Sequence, residues 1–201
     1  MITFDTQEYA TIVLYSIFYI FANINLIILE KKKSEEYYNS RLLKTIGILN
    51  IVIIVVNLAI FPLRYTGRDV LLHIWINEIY QIIRLLIATI PYFITLGLML
   101  LKFGITNQEK HGSFLKIGGI LGIIGYATTS LNIMVIILPS SLSYISASIG
   151  VISLISLYLF FIAHGIRNRD KYFIISGVLY LTGFLAGFLL GTILIINTPI
   201  F

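Results

Sequence analysis

Basic residues collect in three short segments between long apolar runs, and this pattern constrains the fold more than any other feature. Eleven of the fourteen Lys and Arg residues lie within residues 31–44, 102–116 and 167–171. A bilayer core of about 30 Å requires roughly 20 apolar residues in one helix, and the runs between the basic segments reach that length. The sequence therefore predicts an all-α integral membrane protein.

Composition supports the same class. Hydrophobic residues make up 58% of the chain and charged residues 11%, whereas a soluble domain carries about 25% charged residues. So little polar surface cannot cover a globule in water, which makes lipid the solvent for most of the chain. The basic residues behind the net charge of +5 lie beside apolar runs. This position favours membrane lipids as partners and argues against nucleic acid.

The apolar runs predict a bundle of six transmembrane helices with short loops, forming a single domain over residues 1–201. The predicted spans are about 9–29, 43–61, 83–101, 117–138, 144–163 and 172–196, with residues 70–82 as an outer extension of the third. Lys and Arg alternate between high and low numbers in successive loops. The positive-inside rule then places the loops after the first, third and fifth spans in the cytoplasm and both termini outside, with the plasma membrane as the expected location.

The third span and its extension carry the most concentrated set of polar residues. At about 100° per residue these side chains fall on one arc of a helix. An ionisable residue inside a span normally faces protein, water or a partner, so the arc is a candidate polar cavity for a solute or a proton relay. The same pattern suits an interfacial segment whose polar arc faces water, and we favour that alternative. The candidate residues are His73, Asn77, Glu78, Gln81 and Arg84.

Two further polar stripes lie on the first and second spans. Tyr15, Tyr19 and Asn23 follow one another at intervals of four residues, and Asn50 and Asn57 share a face of the second span. Such groups form hydrogen bonds between helices or line a path for a solute, and helix packing is the commoner use.

Glycines at helical spacing predict close contacts between helices. Small residues allow two backbones to approach in lipid, where no hydrophobic force drives helices together. The pattern leaves open whether the partner helix belongs to this chain or to a second subunit. The candidate packing residues are Gly118, Gly122 and Gly125 on the fourth span, Gly150 on the fifth, and Gly183, Gly187 and Gly191 on the sixth.

One internal similarity connects the second and fourth spans. Residues 41–50, RLLKTIGILN, and residues 113–122, SFLKIGGILG, are identical at five of ten positions. Because Ile, Leu and Gly are so common in this chain, we favour chance as the explanation.

No sequence motif of a metalloprotease, a serine hydrolase or a P-loop nucleotide-binding protein occurs. The chain has no cysteine, which excludes disulfides and thiol catalysis. The sequence favours a non-catalytic membrane subunit without metal or cofactor, packed through its glycine faces into a homo- or hetero-oligomer. The alternative is a small transporter or channel with a polar path on the third helix.

Overall fold

The structure is a computed structural model, and it describes residues 4–60, 90–133 and 140–196. Within these ranges the chain forms helices and turns and no strand. The helices are α1 (Phe4–Lys33), α2 (Arg41–Ile60), α3 (Ile90–Thr106), α4 (Ser113–Ile133), α5 (Ser140–Arg167) and α6 (Lys171–Ile196). A short 3₁₀ turn, Gln108–Lys110, lies in the loop between α3 and α4.

Among the described helices, α1, α2, α5 and α6 are each long and apolar enough to cross a membrane. The described parts of α3 and α4 contain shorter apolar stretches, Ile90–Thr106 and Ser113–Thr129. Large apolar side chains such as Phe21 and Ile152 are exposed on the outside of the bundle, as lipid-facing residues are. The structure therefore agrees with an all-helical membrane protein.

Several helices continue beyond the predicted spans on the side of the basic loops. Helix α4 begins at Ser113 rather than near residue 117, and α5 ends at Arg167 rather than near residue 163. The thickness of the hydrocarbon layer determines which residues must be apolar, whereas backbone hydrogen bonding continues the helix into the interface. Hydropathy alone therefore underestimates the length of these helices.

The six helices pack in chain order around a closed ring, in which α6 returns to pack against α1. The three pairs whose connecting loops the structure describes are called here hairpins: α1–α2, α3–α4 and α5–α6. The first helix of each hairpin carries fully buried apolar side chains in the common core. Examples are Leu26, Leu100 and Phe161.

The three hairpins are built alike. Each loop contains one residue with a left-handed backbone, namely Asn39, His111 and Arg169, with φ values of 54°, 53° and 53°. Eight residues further along, each second helix has a glycine packed against the first helix of its own hairpin, at Gly47, Gly119 and Gly177. The similar segments 41–50 and 113–122 thus occupy equivalent positions in two hairpins.

The loops of the three hairpins meet at one end of the bundle, called here the loop end. The side-chain oxygen of Asn107, in the α3–α4 loop, accepts from the backbone N–H of Tyr38, at 2.8 Å. Its side-chain nitrogen donates to the backbone carbonyl of Tyr38, at 2.9 Å. Tyr38 belongs to the α1–α2 loop. The His164 ring at the end of α5 lies 3.2 Å from the carbonyl of His111. The basic segments of the sequence therefore share one end of the fold.

Asp170 joins the first and third hairpins at the loop end. Its fully buried carboxylate lies 3.4 Å from the Lys33 ammonium and accepts a hydrogen bond from the Tyr37 hydroxyl at 3.2 Å. It also accepts from the backbone N–H of Tyr172, at 3.0 Å, which caps the start of α6. Burial and the neighbouring carboxylate of Asp170 raise the pKa of Tyr37 well above its ordinary value, so that this hydroxyl stays protonated and donates.

Candidate functional site: a tyrosine-lined cavity

A cavity of about 430 Å³ lies between the helices, in the half of the bundle away from the loops. Tyrosines dominate its wall, which also carries three smaller polar side chains and no charged side chain among the described residues. The tyrosines are Tyr15, Tyr19, Tyr92, Tyr126 and Tyr158, and the smaller polar residues are Ser16, Asn57 and Thr129. This size falls in the range of pockets that bind small organic molecules.

All three hairpins contribute equivalent positions to the cavity wall. Fifteen residues after the left-handed loop residue, each second helix presents one lining residue, namely Ile54, Tyr126 and Phe184. Eighteen residues after it, the lining residues are Asn57, Thr129 and Gly187. The cavity is therefore surrounded by the three hairpins and is not a gap between one pair of helices.

Hydrogen bonds fix the orientation of the tyrosine rings. The hydroxyls of Tyr19 and Tyr158 are 2.8 Å apart, and those of Tyr126 and Tyr158 are 3.4 Å apart. These bonds connect α1, α4 and α5. Tyr92 stacks on Tyr126, with ring centroids 5.6 Å apart and planes 14° apart. Because these contacts already hold the rings in place, little side-chain freedom would be lost when the cavity binds a molecule.

A second polar chain lies next to the tyrosines and connects four helices. Tyr180 on α6 donates to the side-chain carbonyl of Asn23 on α1. The same oxygen accepts from the amide of Asn50 on α2, at 3.1 Å. Thr95 on α3 in turn donates to the Asn50 carbonyl, at 2.6 Å. Because these buried groups satisfy one another, they fix how the four helices sit together.

An apolar core separates this polar layer from the loop end. Its side chains are fully buried and come from every hairpin, among them Leu26, Leu43, Leu100, Phe103, Phe161 and Phe173. The core leaves no polar route from the cavity to the loops among the described residues. In this conformation the cavity is closed on the loop side.

The helix α3 changes its geometry beside the cavity. Pro91 lacks a backbone N–H, and residues Phe93–Met99 that follow it form a π-helix instead of an α-helix. This segment includes Thr95, which joins the polar chain. π-Helical turns are rare and occur frequently at functional sites.

The predicted packing glycines have neighbours within this chain. A Cβ atom at Gly122 would lie 2.6 Å from the carbonyl oxygen of Leu96 on α3. One at Gly183 would lie 2.9 Å from Cβ of Phe18 on α1, and one at Gly187 would lie 3.0 Å from the Tyr15 ring. Gly118 and Gly125 likewise face α5, and Gly150 faces α4. Gly191 lies in α6, but its surroundings fall outside the described residues.

The five predicted residues of the third-span cavity lie outside the described residues, so that site stays a prediction. The structure instead gathers the two polar stripes of α1 and α2 around the observed cavity. Tyr15, Tyr19 and Asn57 line it, and Asn23 and Asn50 lie in the polar chain beside it. Sequence periodicity placed these residues on common helix faces, but their meeting with Tyr126 and Tyr158 depends on the ring of helices.

A second recess, of about 570 Å³, lies at the loop end. Its wall is the α1–α2 loop with Glu109, and it includes exposed side chains of both charge signs, such as Glu35 and Arg41. Mixed charges on an exposed loop are typical of solvated surface, so we regard the tyrosine-lined cavity as the candidate site.

The fold and the cavity define the class of this protein as a helical membrane protein with an internal tyrosine-lined pocket. No protein-family model, curated protein or solved structure matches the chain.

Proposed function

We propose that this chain is a non-catalytic membrane protein that binds a small organic molecule in the tyrosine-lined cavity. The observation that carries the proposal is the cavity itself, which all three hairpins surround and whose aromatic rings are held by mutual hydrogen bonds and stacking. Pockets with mainly apolar and aromatic walls and a few placed polar groups are typical of small-molecule sites.

Filling the cavity tests the proposal. Val151 on α5 lines the cavity and is half-buried, and its neighbour Ile152 is exposed on the outside of the same helix. Val151→Trp should exclude the occupant, whereas Ile152→Trp adds bulk outside the cavity. Native mass spectrometry of protein released from mild detergent should show a small-molecule adduct on the wild type and on Ile152→Trp only. The same adduct on Val151→Trp, or no adduct on the wild type, would refute the proposal.

The six-span topology belongs to this proposal, with the loop end in the cytoplasm, both termini outside and the plasma membrane as the location. It rests on the distribution of Lys and Arg. Single cysteines at the exposed loop-end positions Ser34 and Ser113 should be shielded from an impermeant thiol reagent in intact cells, while one at Ser141 should react. Labelling of Ser34→Cys or Ser113→Cys from outside would show that the loop end faces the outside and that the proposed orientation is wrong.

Assembly into an oligomer stays a prediction. The glycine faces that favoured it pack against helices of the same chain wherever the structure describes their surroundings, so they no longer support a second subunit. The copy number in the same native mass spectrum tests it directly, since a monomer would exclude an obligate homo-oligomer.

The geometry of α3 favours transport as a second candidate function. The π-helix at Phe93–Met99 borders a cavity that is closed on the loop side, and a shift of this segment to α-helix would move Thr95 and open the polar chain. Flux of a bound molecule into vesicles that contain the purified protein would distinguish transport from binding alone.

A further inference from the structure

Two exposed lysines lie next to the ion pair that joins α1 to α6 at the loop end. The ion pair is formed by Lys33 and the buried Asp170, 3.4 Å apart, and Lys32 and Lys171 are their neighbours in sequence. The pair therefore fixes the backbone positions of both exposed lysines on adjacent helix ends. Neither Lys32 nor Lys171 forms an ion pair with a carboxylate in the described part of the chain.

Both ammonium groups converge on one aromatic ring. The Nζ atom of Lys32 lies 5.7 Å from the centre of the Tyr172 ring, and the Nζ atom of Lys171 lies 5.6 Å from it. A cation at this distance is attracted to the ring. Two like charges at a single ring also repel each other, and a neutral phenol does not cancel that repulsion. An anion that contacts both lysines would cancel it.

The surface next to these lysines is apolar and faces outward. Ile28 lies one turn before Lys32 on α1, and Ile175 lies one turn after Lys171 on α6. Both isoleucines are exposed, and α1 and α6 pack directly against each other. Because residues four positions apart share a helix face, each lysine continues the apolar face that its own helix exposes. A positive site beside an exposed apolar surface matches an amphiphile with an anionic head.

The charge of the whole loop end also favours an anion. The three basic segments contain eleven Lys and Arg residues and four Asp and Glu residues, and their loops meet at this end of the bundle. The positive-inside rule explains why basic residues collect on one side of a membrane. It does not require two of them, from opposite ends of the sequence, to meet at one ring on the outer surface.

We infer that Lys32 and Lys171 bind the phosphate of an anionic phospholipid whose acyl chains lie along Ile28 and Ile175. The occupant is a lipid and not a soluble phosphate compound, because the exposed isoleucines adjoin the lysines. Lysine is a compact charge on a flexible stem, so two side chains from adjacent helices can close on one phosphate group. The site lies outside the tyrosine-lined cavity and does not depend on the occupant proposed there.

Phosphatidylglycerol and phosphatidylcholine with identical acyl chains provide a pair of probes, since the first carries a net negative charge and the second is neutral overall. Native mass spectrometry of the full chain in mild detergent, titrated with each lipid, gives the apparent dissociation constant of the first lipid bound. Phosphatidylglycerol should bind about tenfold more tightly, as expected if two lysines contribute. Equal binding of the two lipids would overturn the inference.

Two double variants separate a defined site from general attraction to a basic surface. Lys32→Gln with Lys171→Gln should weaken binding of phosphatidylglycerol about tenfold and leave phosphatidylcholine unchanged. Lys44→Gln with Lys102→Gln removes the same charge from exposed positions of α2 and α3 at the same end, and should bind within about twofold of the wild type. An equal loss in both double variants would remove the assignment. Thermal unfolding in detergent verifies that each variant is folded.

A soluble headgroup identifies the source of the phosphate. Glycerophosphoglycerol has the headgroup of phosphatidylglycerol without acyl chains, and an equal concentration of it should not displace the bound lipid. Displacement at that concentration would show that the site takes soluble phosphate compounds and would refute the lipid assignment. None of the four substituted lysines is among the described lining residues of the cavity, so failure of this inference is distinguishable from failure of the proposed binding function.

Discussion

The two ends of this helical bundle differ in how completely their polar groups are paired. At the loop end, Asp170 and Asn107 each bond to several partners and connect segments that are far apart in sequence. In the cavity half, Ser16 has no partner among the described residues and Asn57 keeps a free acceptor. This difference fits the proposal that the loop end stabilises the fold and that the cavity half binds an occupant.

The largest effect is expected at the loop end, from Asp170→Ala. The change removes the partner of Lys33, the acceptor of the Tyr37 hydroxyl and the cap of α6. We expect a loss of about 3 kcal/mol in the free energy of unfolding. Thermal unfolding in detergent measures it, with the exposed Glu35→Ala as the control. A loss no larger than that of the control would contradict the stabilising role of this end.

Gly119→Ala should have the next largest effect, and its neighbour provides a matched comparison. A Cβ atom at Gly119 would lie 2.5 Å from the backbone nitrogen of Leu101, whereas one at Gly118 would lie 3.4 Å from a methyl group of Leu157. Because backbone cannot move aside as a side chain can, Gly119→Ala should cost about 2 kcal/mol and Gly118→Ala far less. Equal melting temperatures for the two variants would show that the backbones of α3 and α4 lie farther apart at Gly119 than the structure places them.

Tyr37→Phe tests the hydrogen bond to Asp170 through its dependence on pH. The loss at neutral pH should be about 1 kcal/mol. Because the pKa of Tyr37 is raised in the folded state, the wild type loses stability as pH rises above about 10, where the unfolded tyrosine ionises. The stability difference between wild type and variant should therefore narrow in that range, as measured by thermal unfolding across pH. A constant difference would place the hydroxyl in contact with solvent.

The smallest expected effects on stability come from replacing two serines, one with a hydrogen-bond partner and one without any among the described residues. Ser176 at the α1–α6 contact donates to the carbonyl of Ala22, at 3.0 Å, so Ser176→Ala should cost about 1 kcal/mol. Ser16→Ala removes a hydroxyl that has no described partner and should leave the stability of the ligand-free protein unchanged or slightly higher. A larger loss at Ser16 than at Ser176 would indicate that Ser16 has a structural partner.

The charge pattern predicted that the basic loops lie at one end of the bundle, because Lys and Arg are concentrated in the loops on one side of a membrane. It did not predict the contacts that hold these loops together. Asp170 follows a basic turn and precedes an apolar run, which is the sequence signal of a helix N-cap. Its contacts with Lys33 and Tyr37 depend on the closure of the ring between α1 and α6.

Glycine spacing indicated close packing without identifying the partner helix, which only the ring determines. The tyrosines were harder to predict, since thirteen tyrosines in one chain suggest an aromatic belt at the interface. Tyr38 and Tyr144 are indeed exposed, but Tyr19, Tyr126 and Tyr158 are buried. Residues on all six helices line the cavity, and no periodicity within one helix specifies that arrangement.

The central claim is that the cavity half holds a small molecule between the three hairpins. An experimental density map of the purified protein in lipid nanodiscs, with a rigid fiducial bound to enlarge the particle, tests it most directly. We expect non-protein density enclosed by the rings of Tyr15, Tyr126 and Tyr158. Helices that close this space with their own side chains, or a cavity that contains only water, would contradict it.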